Sequence, residues 1–428
     1  MRSHDVQAPE NRPSGVYTNT TGNAEMRRGR PLNEMVTQKI LQASLLLREH
    51  DLPVWIVQFA RETYENPQPV QQLAVGTTVT WPAAFIVTDD GRSYAIVGTG
   101  DVSNTRQVGA YANVIGYVQD IRPELRKVLS ELQPARVGVS YSLDDDSADN
   151  ITHGMYRILR QSLEGTPFAE RLVSADEVLI DLRARKLDVE IERIKAAITV
   201  TEEIFTEIEH MLRPGVSERE VAQRVHDLMH KRSVTSAWDA GYDPVVNFGP
   251  ESPFGHTAPS GHITLEPGML AHVDLGIKRS GYCSDLQRMW YILAEGEDAA
   301  PQSVQLPFDT VLSSISAGFG ALRVGRPGWE VDSVARKVLV QAGYPEPEFS
   351  LGHQLGQTTH DGGALLGPRW ARYGRRPELL LQPGNVFTLE YGVTSPLGQI
   401  GLEEDVLLTA DGPTYLSTPQ TALPCLRP

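Results

Sequence analysis

The stretch "HVDLGIKRSGYCSDLQRMW", residues 272–290, decides how the chain is read. It is strand-like and largely apolar, yet it carries Asp274 and Asp285 on either side of a tight turn. A buried carboxylate is costly unless it is paired, hydrogen-bonded or bound to a metal. In a hairpin with an even-numbered loop, residues facing each other across the strands have positions that sum to an odd number. Asp285 lies eleven residues after Asp274, and that odd separation puts both side chains on one sheet face, because side chains alternate with period two. Something on that face must neutralise both.

The surroundings repeat. "LEPGMLAHVDLG" (265–276) aligns without a gap on "LQPGNVFTLEYG" (381–392), and this superposes Asp274 on Glu390. Upstream, "RPGVSEREVAQRV" (213–225) aligns on "RPGWEVDSVARKV" (326–338). The offsets are 116 and 113 residues, so helix-then-strand recurs at nearly constant spacing. Two related halves are expected, each with helices packed on antiparallel strands. Glu403 follows Glu390 by thirteen residues, again an odd separation. Four carboxylates can therefore converge between the halves, and their repulsion would raise their pKa values unless cations share the site. Two divalent metals answer that need. "SLGHQLGQTTHDGG" (350–363) supplies candidate nitrogen ligands in His353 and His360, and glycines beside His353 allow close approach.

Helical spacing runs through Ile191, Ile194, Ile198, Phe205, Ile208 and Leu212. "RPG" ends that run, and Ser217-x-x-Glu220 offers a capping box for the next helix. Earlier, "VWIVQF" (54–59) reads as a buried strand, "AAFIVTDDGRSYAIVG" (83–98) as a hairpin and "MYRILRQSL" (155–163) as a helix. This is an α/β domain with its boundary near residue 182. "VGTGD" (97–101) has too few glycines, and no helix signal follows it to suggest phosphate binding. "HDLMH" (226–230) mimics zinc-protease spacing, but aspartate replaces the glutamate, and the segment reads as a solvated helix surface. "RYGRRPE" (372–378) is a basic patch, read either as a solvated loop or as positive charge for a substrate.

A net charge of −15 argues against nucleic acid or an anionic membrane as partner. No apolar run approaches the roughly 18 residues of a membrane span. Two cysteines make a disulfide framework improbable and fit a reducing cytoplasm. Residues 1–31 are polar and read as a disordered arm, not a signal peptide.

The segments "AHVDLG", "GYCSDLQR", "LGHQLGQTTHD", "FTLEYG" and "GLEEDVLLT" together resemble, in order over roughly residues 183–410, the signatures of the metal-dependent pita-bread peptidases. The upstream domain resembles that of the creatinase, prolidase and aminopeptidase P branch. The resemblance implies an α/β domain over 32–182, followed by an α+β pita-bread domain over 183–428, duplicated about a pseudo-two-fold in an antiparallel sheet. It implies two divalent ions (manganese, cobalt or zinc). Asp274 would chelate one, His353 and Glu390 the other, and Asp285 and Glu403 would bridge, with Glu404 only a neighbour. Glu390 would carry the attacking water's proton to the leaving nitrogen, while His256 and His360 steady the tetrahedral intermediate. Tyr242 in "GYDPVV" would line the substrate pocket. The implied substrates are short peptides with proline in second place, cleaved before the proline by a dipeptidase or an aminopeptidase, and the implied assembly is a homodimer.

Four positions depart from that pattern. Gly401 stands where an arginine is usual, Gln287 where a threonine is usual, Phe349 in place of a histidine, and Tyr391 in place of a proline. A creatinase-like amidinohydrolase without metal, or a non-catalytic binding module, would share the fold. Both normally lose ligand positions, and all five are present here. Cys283 shares parity with Asp285 but reads as a small packing residue.

Overall fold

The computed structural model describes residues 31–428 apart from 254 and 256, so the expected arm lies outside the described residues as far as residue 30. The first part of the chain folds as α1 (Pro31–Glu49), β1 (Val54–Ala60), β2 (Ala83–Thr88), β3 (Ser93–Gly98), α2 (Val102–Val108), β4 (Asn113–Tyr117), α3 (Arg122–Leu132), β5 (Val137–Val139), α4 (His153–Ser162), β6 (Leu172–Ser174) and α5 (Asp176–Ala184). The strands form one six-stranded sheet in the order β4-β3-β2-β1-β5-β6. β1 through β3 are antiparallel, and β4, β5 and β6 join in parallel. β1, β2 and β3 are buried along their whole length, which is why they read as continuous apolar runs without alternation. One expectation fails here: the helix α2 does follow "VGTGD". It is seven residues long and buries only Thr105 and Val108, too short for an apolar period to register.

The rest comprises α6 (Asp188–Glu209), α7 (Glu218–Lys231), β7 (Thr235–Ser236), β8 (Val245–Phe248), β9 (Leu270–Leu275), β10 (Ile277–Arg279), β11 (Tyr282–Cys283), β12 (Leu286–Ile292), α8 (Gln302–Ala321), α9 (Gly328–Gln341), β13 (Val386–Ser395), β14 (Gly398–Thr409), β15 (Gly412–Tyr415) and β16 (Cys425–Leu426). The main sheet runs β13-β14-β12-β9-β8, with β15 beside β14 and β16 beside β12. Alternation along it is strict. Ala271, Val273, Leu275, Leu286 and Trp290 pack with α6 and α7, and Leu389, Tyr391, Ile400 and Leu402 pack with α8 and α9. The intervening residues are left on the opposite face.

The two halves are related as expected, with one correction. Gly215 N donates to Leu265 O and Gly325 N to Leu381 O, each at 2.8 Å. Ser217 bridges Thr264 just as Pro327 bridges Leu380. Gly215 therefore corresponds to Gly325, and the helices are offset by 110 residues, not 113; Val221 and Val225 of α7 match the buried Val331 and Ala335 of α9. Three residues are nearly one helical turn, so the apolar pattern survives the wrong alignment. The strand offset of 116 stands.

Candidate active site

Four side chains form a row across four strands. Asp274 on β9 pairs in register with Gln287 on β12, Gln287 with Glu403 on β14, and Glu403 with Glu390 on β13. The odd separations read from the sequence are thus realised, with Glu390 and Glu403 directly opposed. Asp285 stands two residues from Gln287, and its backbone N–H donates to Asp405 Oδ2 at 3.2 Å.

His353 reaches the row from a segment laid along β13. Glu390 N donates to Leu351 O at 2.7 Å, and Thr388 N to His353 O at 2.9 Å. A Cβ on Gly352 would fall 1.9 Å from Thr388 O, so only glycine permits this approach. His353 Nε2 lies 3.6 Å from both Asp285 Oδ2 and Glu390 Oε1. One donor atom each from Asp285, His353 and Glu403 lie within 4.8 Å of one another, and all three residues are buried.

The electrostatics favour neutralisation of the acids, by protons or by cations. Burial pushes Asp274 up to about 7 and Glu390 up to about 8. Burial and the neighbouring acids push Asp285 and Glu403 well above the carboxylate range. Burial drives His353 well below the usual imidazole value, so it is neutral with a lone pair to offer. Asp274 Oδ1 and Glu403 Oε1 are buried and find no hydrogen-bond partner among the described residues. Clustered oxygen donors, a neutral imidazole and orphaned carboxylate oxygens suit divalent ions.

The other expected site residues are distributed unevenly. The exposed His360 packs its ring edge-on against His353, with centroids 4.3 Å apart. His256 lies outside the described residues. Tyr242 is partly exposed, and its carbonyl accepts Trp238 Nε1–H at 3.2 Å, bracing the turn before Asp243. Glu404 points away from the row, to Arg288 at 3.0 Å and to the Ser417 hydroxyl, which donates at 2.6 Å. Cys283 is fully buried. In "HDLMH", His230 is exposed, but His226 Nε2 lies 2.6 Å from Asp243 O, so that face is not wholly solvated. In the basic patch, Arg375 is engaged in ion pairs with α5. That side chain is held by Asp176 at 2.8 Å and Glu177 at 3.1 Å, while Arg376 Nε donates to Gly363 O at 3.1 Å.

Several contributors escaped the sequence reading. Asp243 is fully buried, takes the Ala237 N–H at 2.9 Å and is pushed up to about 8 by burial. Asp405 is also fully buried and is pushed well up. Parity could have found Asp405, two residues after Glu403, and likewise His272, two before Asp274. Nothing in "GYDPVV" marks Asp243. The departures also fall into pairs: Phe349 meets Tyr391 edge-on at 5.7 Å, and Gly401 faces Gln287.

Comparison with known proteins agrees with this geometry. The model of metallopeptidase family M24 matches residues 192–410. A putative dipeptidase of Bacillus subtilis, YkvY, is 28% identical over 74% of this chain and 81% of its own length. An Xaa-Pro dipeptidase of Pyrococcus furiosus is 30% identical over 58% of this chain and 67% of its own. In structure, an Xaa-Pro dipeptidase from Bacillus anthracis overlays with a TM-score of 0.70 at 23% identity, covering 91% of this chain and 100% of that one, which shows the shared pita-bread fold. With its duplicated sheet and a family match over half its length, the chain belongs to metallopeptidase family M24.

Proposed function

We propose that the protein hydrolyses the bond between an N-terminal residue and a following proline in short peptides, using two divalent ions held by Asp274, Asp285, His353, Glu390 and Glu403. The observation that carries this reading is the convergence of Asp285, His353 and Glu403 donors within 4.8 Å, beside the partnerless Asp274 Oδ1 and Glu403 Oε1. The named activities of its relatives, Xaa-Pro dipeptidases among them, support the substrate class. When bound, manganese, cobalt or zinc would supply an acidified water and a Lewis acid for the scissile carbonyl.

The chain's own groups do the rest. Glu390 is partly exposed at the row's edge, where it can take the water's proton and return it to the leaving nitrogen. Its raised pKa, about 8, is that of the site without cations; opposite charge nearby favours the ionised, proton-accepting form. His360, whose ring packs edge-on against His353, is assigned by resemblance to hydrogen-bond the carbonyl oxygen as charge develops on it. His256 and Tyr242 are assigned to the substrate side by resemblance. Residues 32–182 and 183–428 are read as separate domains, the first narrowing the cleft and forming a homodimer contact. No helix among the described residues is long and apolar enough to cross a membrane. The assignment of the enzyme to a reducing cytoplasm rests on its two cysteines alone.

Metal analysis followed by hydrolysis of Xaa-Pro and Xaa-Pro-Xaa peptides tests the reading. Divalent ions bound and either peptide cleaved before proline is the expected result. A metal-loaded protein that cleaves neither would overturn it, and turnover of creatine without metal would select the amidinohydrolase.

A further inference from the structure

Gln287 is the one member of the four-residue row that carries no charge, and its amide does something a shorter side chain at that position could not. Its Nε2 donates to Glu403 Oε2 at 3.0 Å and to Glu390 Oε2 at 3.3 Å. Both protons of the amide are thereby committed, so Oε1 must face elsewhere, and it lies 3.0 Å from His272 Nε2. The buried His272 also lies beside Asn247, with Nδ1 3.0 Å from Asn247 Oδ1. Asn247 is anchored in turn by donating Nδ2 to Pro253 O at 3.2 Å. A neutral imidazole carries one N–H, so His272 donates to only one of these two amide oxygens; with that proton on Nε2, Gln287 Oε1 accepts it, and the amide is held by the imidazole on one side and by the two glutamates on the other.

Gly401 makes room for this arrangement. A Cβ at that position would fall 2.6 Å from Gln287 Oε1 and 3.1 Å from His272 Nε2. Two departures from the family pattern thus fit one another: the side chain absent at 401 leaves the space that the amide and imidazole occupy. The amide takes one oxygen of each glutamate and leaves the other. Glu390 Oε1 stays 3.6 Å from His353 Nε2, and Glu403 Oε1 has no hydrogen-bond partner among the described residues. Two N–H donors set between adjacent carboxylates also offset their mutual repulsion.

We propose that Gln287, seated by His272 and by the absence of a side chain at Gly401, is a positioning residue that clamps Glu390 and Glu403 so that one free oxygen of each is presented to a divalent cation. The clamp rests on the metal reading of the site, and it predicts a dependence that packing alone would not produce. Removing the amide at its source and crowding it from the neighbouring strand must cost the same thing.

Titration calorimetry with Mn2+ on the full-length wild type, Gln287→Ala, Gly401→Val and the double variant tests this directly. Loss of a group that orients metal ligands typically weakens metal affinity by roughly 10- to 100-fold. Each single variant is expected to lose affinity in that range, and the double variant to bind no worse than the weaker single, because both changes abolish one clamp. The atom that Gly401→Val would displace is the end of a flexible side chain, so that variant keeps the test open if Gln287→Ala does not fold. Unchanged Kd in either folded single variant, or losses that multiply in the double, would overturn the clamp alone. A wild-type chain that takes up none of Mn2+, Co2+ and Zn2+ would overturn the metal reading and the clamp with it.

Discussion

Glu390 and Asp274 show how far a single position can be pushed by its surroundings. With Glu390 as both proton carrier and metal ligand, Glu390→Gln keeps the shape but removes the base and one anionic ligand, so turnover is compared at equal bound metal. Peptide turnover should fall about 100- to 10,000-fold with KM little changed, and an unaltered kcat would refute the role. The same acids govern stability. Their folded-state pKa values lie above the unfolded ones, at about 7 for Asp274 and about 8 for Glu390. The folded state then holds protons that the unfolded state releases, so stability is full below about pH 4 for these groups and is lost as pH rises towards 8. For the metal-free protein, Tm should drop by a few degrees between pH 5 and pH 8. Mn2+ should restore Tm more at pH 8 than at pH 5, because at the higher pH the cation replaces the missing protons. Equal stabilisation at both values, measured by calorimetry, would contradict this. Much at this scale was legible, since parity and the repeat placed Asp274, Asp285, Glu390 and Glu403 on one face. The sequence did not disclose Asp243, whose contribution depends on a turn that no periodicity marks.

Among the elements, strands announced themselves and their helices did so less exactly. The repeat set β9 and β13 in equivalent places, and the odd separations put Asp274, Asp285, Glu390 and Glu403 on one face. The helix repeat misled by three residues, because a register error of nearly one turn preserves an amphipathic stripe; the backbone bonds at Gly215 and Gly325 and the bridges at Ser217 and Pro327 reveal it. The His353 segment carries no strand pattern, yet it lies along β13 because Gly352 lets it. Gly352→Ala would drive a Cβ to 1.9 Å from Thr388 O, backbone that cannot rotate away as a side chain would. Overpacking of this kind costs about 1–3 kcal/mol, measurable as a lower urea midpoint. Moving His353 off Asp285 and Glu390 should weaken Mn2+ binding in the same variant. A variant as stable and as tight-binding as wild type would show that the segment has slack.

Across the whole molecule, a buried chain of charge joins the first sheet's surroundings to the active-site loop. Lys39 of α1 pairs with Glu190 of α6 at 2.6 Å, and Glu190 accepts the Tyr282 hydroxyl at 2.9 Å. Asp361, next to His360, takes Lys186 at 2.8 Å and pairs with Arg183; burial alone would raise its pKa, but these two cations hold it below the usual carboxylate value. Asp145, from the connection between β5 and α4, accepts the Gly363 N–H at 2.6 Å. Lys39 and Glu190 are 151 positions apart, and no local pattern could pair them. Breaking a buried ion pair from one side is severe because the partner charge stays buried, about 3–5 kcal/mol. Asp361→Asn strands Arg183 and Lys186 together and should cost that much in urea unfolding. Because these links cross between the two parts, the wild type should unfold in one transition, with tryptophan fluorescence and far-UV circular dichroism coincident. Trp55 and Trp81 report on the first part, and Trp238, Trp290, Trp329 and Trp370 on the second. In Asp361→Asn the two probes should separate, the His360 loop losing its anchor before the first sheet melts. If the wild-type curves already diverge, the buried charges do not couple the two parts; if the variant's curves stay coincident and unshifted, Asp361 is not the hub.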